Sequence, residues 1–73
     1  MNSRNQKTMQ SLGKKIQKAR KAEGYSQEKL AEIVKVSRVH IGHIEQGRKS
    51  PSIELLDKIA RALHISSGQL LPF

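Results

Sequence analysis

The sequence predicts an all-α fold, a compact set of five helices, and three observations carry that prediction. Apolar residues recur at three- and four-residue spacing, the period of an amphipathic helix. Serines stand where these stretches begin, at Ser26, Ser37, Ser52 and Ser66, where a hydroxyl can accept a free backbone N–H. Strand-like alternation is absent throughout.

Residues 1–10 are polar and non-periodic, and read as a flexible basic arm. Residues 11–73 read as one domain. The first helix is expected from about Ser11 to Glu23, with Leu12, Ile16 and Ala19 on one stripe and the lysines off it. Gly24 is placed to end it in a left-handed conformation. A second helix, Gln27 to Val34, turns Leu30, Ala31 and Val34 inward. Lys35 and Val36 make a turn, and a third helix follows from Ser37 to Gln46, where Gly47 stops it. Pro51 and Ser52 open a fourth helix with Ile53, Leu56, Ile59, Ala60 and Leu63 on its inner face. Ser66 starts a last short helix carrying Leu70 and Leu71.

Composition narrows the function classes. Seventy-three residues make one domain, whose core rarely supplies more than about 3–5 kcal/mol. Without cysteine there is no disulfide and no cysteine-based zinc site. The net charge is +8, and residues 1–21 hold seven basic side chains and no acidic one. Such a balance favours a polyanion, either nucleic acid or an anionic membrane surface. No stretch is long and apolar enough to span a bilayer, and no export signal is evident. A cytoplasmic protein is therefore expected.

The segment Gln27–Gln46 is the informative one: two short helices joined by a turn of about three residues. Ala31 allows the pair to approach closely, Val36 fills the angle between them, and Ile41 and Ile44 tie the third helix to the core. Counting about 100° per residue from Ile41, Gln46, Val39 and His43 fall at about 140°, 160° and 200°, opposite the core. Arg38 stands at the exposed N-terminal end of that face, which carries no acidic residue.

These residues resemble the phage repressor and Cro-like (Xre-type) helix-turn-helix family. The pattern runs Ser26-Gln27, Leu30-Ala31, Val36-Ser37-Arg38, Ile41, Ile44-Glu45-Gln46-Gly47, Pro51-Ser52, Leu56, Ile59-Ala60, Leu63 and Leu70-Leu71. The run SRVHIGHIEQGRKSPS is especially similar to restriction–modification controller-type regulators. The resemblance implies a lambda-repressor-like DNA-binding domain with the motif formed by helices 2 and 3. It implies base reading by Arg38, Val39 and His43, in which an arginine can pair bidentately with guanine and a valine can touch a thymine methyl. Gln27, Ser37, His40, Arg48 and Lys49 match positions that contact the sugar-phosphate backbone. Arg20 and Glu45 match a structural ion pair. Two departures stand out: Lys35 in the turn and His64 after the fourth helix occupy places where the family often has glycine.

The expected function is sequence-specific binding of double-stranded DNA by a transcriptional regulator, as a homodimer on a two-fold symmetric site. Leu55, Leu70, Leu71 and Phe73 are candidate dimer residues. The competing class is an antitoxin or other protein-interaction module on the same fold. Membrane binding is disfavoured because the core consumes the apolar residues. No nucleophile–base set or phosphate loop suggests an enzyme, and no small-molecule substrate or cofactor is indicated. No metal is expected, since His40 and His43 lack acidic or cysteine company.

Overall fold

The computed structural model describes residues 3–71, which form helices α1 (Ser3–Ala22), α2 (Gln27–Val34), α3 (Arg38–Glu45), α4 (Ile53–Ala62) and α5 (Ser67–Leu70). No strand occurs among the described residues. Local chemistry sets most boundaries. Ser26 Oγ accepts from the Lys29 N–H at 2.9 Å, Ser37 Oγ from His40 at 3.0 Å, and Ser52 Oγ from Leu55 at 3.1 Å. Each bond satisfies a donor that the first turn of a helix leaves unpaired. At α5 the reciprocal bond is present, the Ser66 N–H donating to Gln69 Oε1 at 2.9 Å.

The start of α1 differs from expectation: the helix begins at Ser3, so residues 3–10 continue it instead of leaving it as an irregular arm. Nothing between Ser3 and Leu12 breaks a helix, and Arg, Gln, Lys and Met are good helix formers. A tertiary contact also holds this extension. Gly47, left-handed at φ 78°, lies so close to Gln10 that a Cβ there would come within 2.9 Å of the Gln10 Cα.

Two non-glycine residues take the left-handed conformation, and both are the departures noted above. Lys35 closes α2 at φ 63°, ψ 47°, and lets the Val36 N–H reach the Ala31 carbonyl at 3.0 Å. His64 closes α4 at φ 60°, with the Ile65 N–H on the Ala60 carbonyl at 3.0 Å. A left-handed L-residue costs about 1–2 kcal/mol, partly offset for glycine by its greater unfolded-state freedom. Lys35→Gly is therefore expected to stabilise the domain by about 0.5–1 kcal/mol and to raise Tm by about 4 °C. A thermal melt followed by circular dichroism checks this, and an unchanged or lower Tm would refute it.

The core comprises Leu12 and Ile16 of α1, Leu30, Ala31 and Val34 of α2, Ile41 and Ile44 of α3, Leu55, Leu56, Ile59 and Ala60 of α4, then Leu63 and Leu70. Packing corrects three expectations. Leu55 and Leu70 are not surface dimer residues: both lie in the core, Leu70 at 1% exposure. The short α5 packs against both α1 and α4, which buries Leu70 intramolecularly. Leu71 is half-buried against the same core, and its carbonyl accepts from Lys15 Nζ at 2.7 Å. Phe73 lies outside the described residues. Ile53, assigned by spacing to the inner face of α4, is 88% exposed because the first residue of that helix precedes its contact with the core.

The approach of α1 to α3 is set by Gly13, which the apolar pattern left unassigned. A Cβ on Gly13 would lie 2.5 Å from the Glu45 carbonyl oxygen and also collide with that of Ile44. The two backbones thus touch at this point, and only glycine permits it.

Candidate nucleic-acid interface

Helix α3 is pinned by one face and free on the other. Ile41 and Ile44 are 0% and 1% exposed, so side chains on the opposite face must point away from the molecule. Arg38, Val39 and Gln46 are exposed there, and His43 and His40 are half-buried. Val39 is 54% exposed, which leaves a branched apolar side chain standing in solvent between polar neighbours. Ser37 is exposed, its oxygen engaged as the cap while its hydroxyl proton can still be donated.

The orientation of α3 rests on a buried polar cluster. Arg20 Nε donates to Glu45 Oε2 at 2.7 Å and its Nη2 to Glu45 Oε1 at 3.1 Å, with both side chains under a tenth exposed. The third guanidinium donor, Nη1, reaches the Tyr25 carbonyl at 2.7 Å. One arginine therefore joins α1, the connection before α2, and the end of α3. Its planar fork suits this task, since a lysine cannot serve three acceptors with fixed directions.

Gln27 enters the same cluster. Its Nε2 donates to Glu45 Oε1 at 3.0 Å. Because a carboxylate only accepts, this bond fixes which end of the amide faces inward. The side chain is then not a free clamp: one of its two N–H donors is committed to Glu45, and the other remains for an outside acceptor. Spacing alone did not indicate this link, because Gln27 and Glu45 lie eighteen residues apart.

Gln27, Arg38, Val39, Gly42, His43, Gln46 and Arg48 line one shallow concavity over α3. Its lining holds two guanidinium groups and no carboxylate. Glu45, the acidic residue of α3, is turned inward and neutralised by Arg20. Arg48 reaches this place because Gly47 turns the chain back, with the Arg48 N–H on the His43 carbonyl at 2.9 Å. Lys49 is exposed just beyond and is not part of the lining. The structure thus brings together Gln27, Arg38, Val39, His43 and Arg48, whereas Ser37, His40 and Lys49 are chain neighbours of lining residues but lie outside the lining.

His64 is drawn away from this surface, its Nδ1 lying 2.9 Å from Glu23 Oε1. Among the described residues no group of three His, Cys, Asp or Glu side chains is arranged to hold a metal ion. No helix among them is long and apolar enough to cross a membrane.

Comparison with known proteins agrees with this geometry. Residues 16–70 match the helix-turn-helix family HTH_3. The chain is 37% identical over 60 residues to YazB of Bacillus subtilis, an HTH-type transcriptional regulator, covering 82% of this chain and 87% of YazB. It is 36% identical over 61 residues to the HTH-type transcriptional regulator SinR of the same organism, but spans only 55% of SinR's length. Among solved structures, the restriction-modification controller protein C.AhdI from Aeromonas hydrophila superposes with a TM-score of 0.83 at 32% identity, covering 86% of this chain and 96% of that one. SinR in complex with DNA gives 0.77 at 35% identity, covering 81% of this chain and 95% of that one.

Proposed function

The chain belongs to the helix-turn-helix family HTH_3, and from that premise we propose that it is a sequence-specific DNA-binding transcriptional regulator that places α3 in the major groove. The observation that carries this reading is the outward face of α3. It is cationic and free of carboxylates, and its own acid is buried and paired. A helix so presented fits a groove walled by phosphates.

In this reading Arg38, Val39 and His43 touch base edges. Gln27, Ser37, His40, Arg48 and Lys49 hold the sugar-phosphate backbone and set the register of α3. The N-terminus of α2 adds backbone N–H groups beside Gln27, which suit a phosphate oxygen. The protein acts where DNA is, in the cytoplasm, and binds as a homodimer with one α3 per half-site. The dimer follows from the two-fold symmetry of sites read by such domains. With Leu55 and Leu70 in the core, the exposed Ile33 and Ile53 and the half-buried Leu71 are apolar side chains that can support it. Sedimentation on operator DNA should give two chains per duplex, and one chain per duplex would discard the dimer.

The test is selection of bound duplexes from a random-sequence pool, followed by two substitutions. Arg38→Ala should relax preference at one base-pair position per half-site by about 1–3 kcal/mol. Arg48→Ala should weaken all sequences alike and lower the salt slope by about one charge per half-site. Recovery of no sequence preference would remove the regulator reading. Equal loss on all sequences for Arg38→Ala would move Arg38 to the backbone-holding set.

A further inference from the structure

The four glycines that the helices and turns around α3 and α1 contain divide by what the fold asks of them. Gly13 lets two backbones touch, and Gly24 and Gly47 have positive φ. Gly42 meets none of these needs. It sits inside α3, and an added Cβ would meet only Gln27 Oε1, at 3.7 Å, an ordinary van der Waals contact. Yet glycine inside a helix is destabilising relative to alanine. The folded chain therefore has no use for this glycine that alanine would not serve better.

The surroundings of Gly42 supply a different reason. It lines the concavity together with Gln27, Arg38 and Arg48, and Gln27 Oε1 is the atom nearest its open side. Around α3 it falls at about 100° from Ile41, turned about 60° from Val39 toward the flank. Val39 and His43 point outward to where base edges would lie. Gly42 faces aside, toward Gln27, where the wall of a groove would pass. An unsubstituted Cα gives that wall an apolar seat, and the guanidinium groups beside it suit its charge.

We propose that Gly42 is a DNA-contact residue by virtue of its missing side chain: the deoxyribose and phosphate of one strand pack directly on the α3 backbone there, held by Gln27, Arg38 and Arg48. This rests on the DNA-binding reading above, and deepens it by setting how closely α3 approaches the duplex. A methyl group at this position stands off the strand and loosens every contact that depends on that approach, phosphate and base alike.

The experiment uses the full chain with Gly42→Ala, Gly42→Leu and, as a control, Gly68→Ala in α5. Gly68 is an exposed helical glycine whose added Cβ would meet only Ser66 Oγ, at 4.0 Å. Thermal melts and affinities are measured on the duplex selected by the wild-type chain and on an unrelated 20-bp duplex at low salt. Gly42→Ala should raise Tm by about 5 °C and weaken both duplexes by about tenfold, the scale of one overpacked methyl group. Gly42→Leu should weaken both further, and Gly68→Ala should leave affinity unchanged. Affinity of Gly42→Ala within twofold of wild type would overturn the proposal, as would a lowered Tm. A loss confined to the selected duplex would also overturn it, since that pattern belongs to a base edge. Failure of the wild-type chain to bind either duplex would instead remove the DNA-binding reading itself, and is told apart by needing no variant.

Discussion

Replacing Arg20 by alanine is expected to cost about 3–5 kcal/mol, because it leaves the Glu45 carboxylate buried without its charge partner. A domain of this size has a total stability on the same scale, so the variant should be largely unfolded at 37 °C. The effect exceeds that of an ordinary surface ion pair, which contributes about 0–1 kcal/mol. Lys29–Glu32, Lys58–Glu54 and Arg61–Asp57 are such surface pairs, and their removal should be nearly silent. Arg20 differs because three donors meet three acceptors out of water. A urea titration with circular dichroism reads the loss, and a midpoint close to wild type would show that water enters the site. A combined Arg20→Met, Glu45→Leu variant separates stability from positioning. Removing both charges can be neutral or even stabilising. That variant should fold, but Gln27 loses its inward anchor and Tyr25 its donor, so its DNA affinity should fall below wild type.

Gly13→Ala is the second large effect. The methyl group would be driven into the carbonyls of Ile44 and Glu45, which are backbone atoms and cannot rotate away. Either α1 or α3 must shift, at an expected cost of about 3 kcal/mol, the upper part of the range for overpacking. Helix propensity acts in the opposite direction by about 1 kcal/mol and does not rescue it. The net outcome should be a Tm lowered by about 10 °C or more. Because the collision is at the end of α3, residual folded protein should also bind DNA less well. A Tm equal to or above wild type would mean that the two helices are not in backbone contact. Gly13→Ala and Gly42→Ala thus make opposite predictions for the same chemical change, and a single pair of melts distinguishes them.

Much of this architecture was legible locally. The serine caps at Ser26, Ser37 and Ser52 act within three residues of themselves, and the stripe of Leu30, Ala31 and Val34 needs only the helical period. The outward direction of Arg38, Val39 and His43 follows from the inward direction of Ile41 and Ile44 on one rigid helix. The matching family HTH_3 agrees with that local pattern. Places where reading failed share one cause. Leu55 and Leu70 looked spare because their partners lie on other helices. Gln10 looked part of a free arm because the residue it packs on, Gly47, lies far along the chain.

Helix periods, caps and turn residues are short-range properties, so the five helices, their order and the exposed face of α3 were already written in the chain. Which surfaces meet is a long-range matter, and packing alone decided it. Burial of α5 against α1 and α4 took Leu70 from the surface. Backbone contact at Gly13 set the distance between α1 and α3. The resemblance had implied the Arg20–Glu45 pair, but the rest of the cluster came from packing: the buried Glu45 carboxylate needs donors and takes them from Arg20 and Gln27, while the remaining guanidinium donor of Arg20 is satisfied by the Tyr25 carbonyl. That cluster is what holds the cationic face of α3 in place, and periodicity along the chain carries no trace of its geometry.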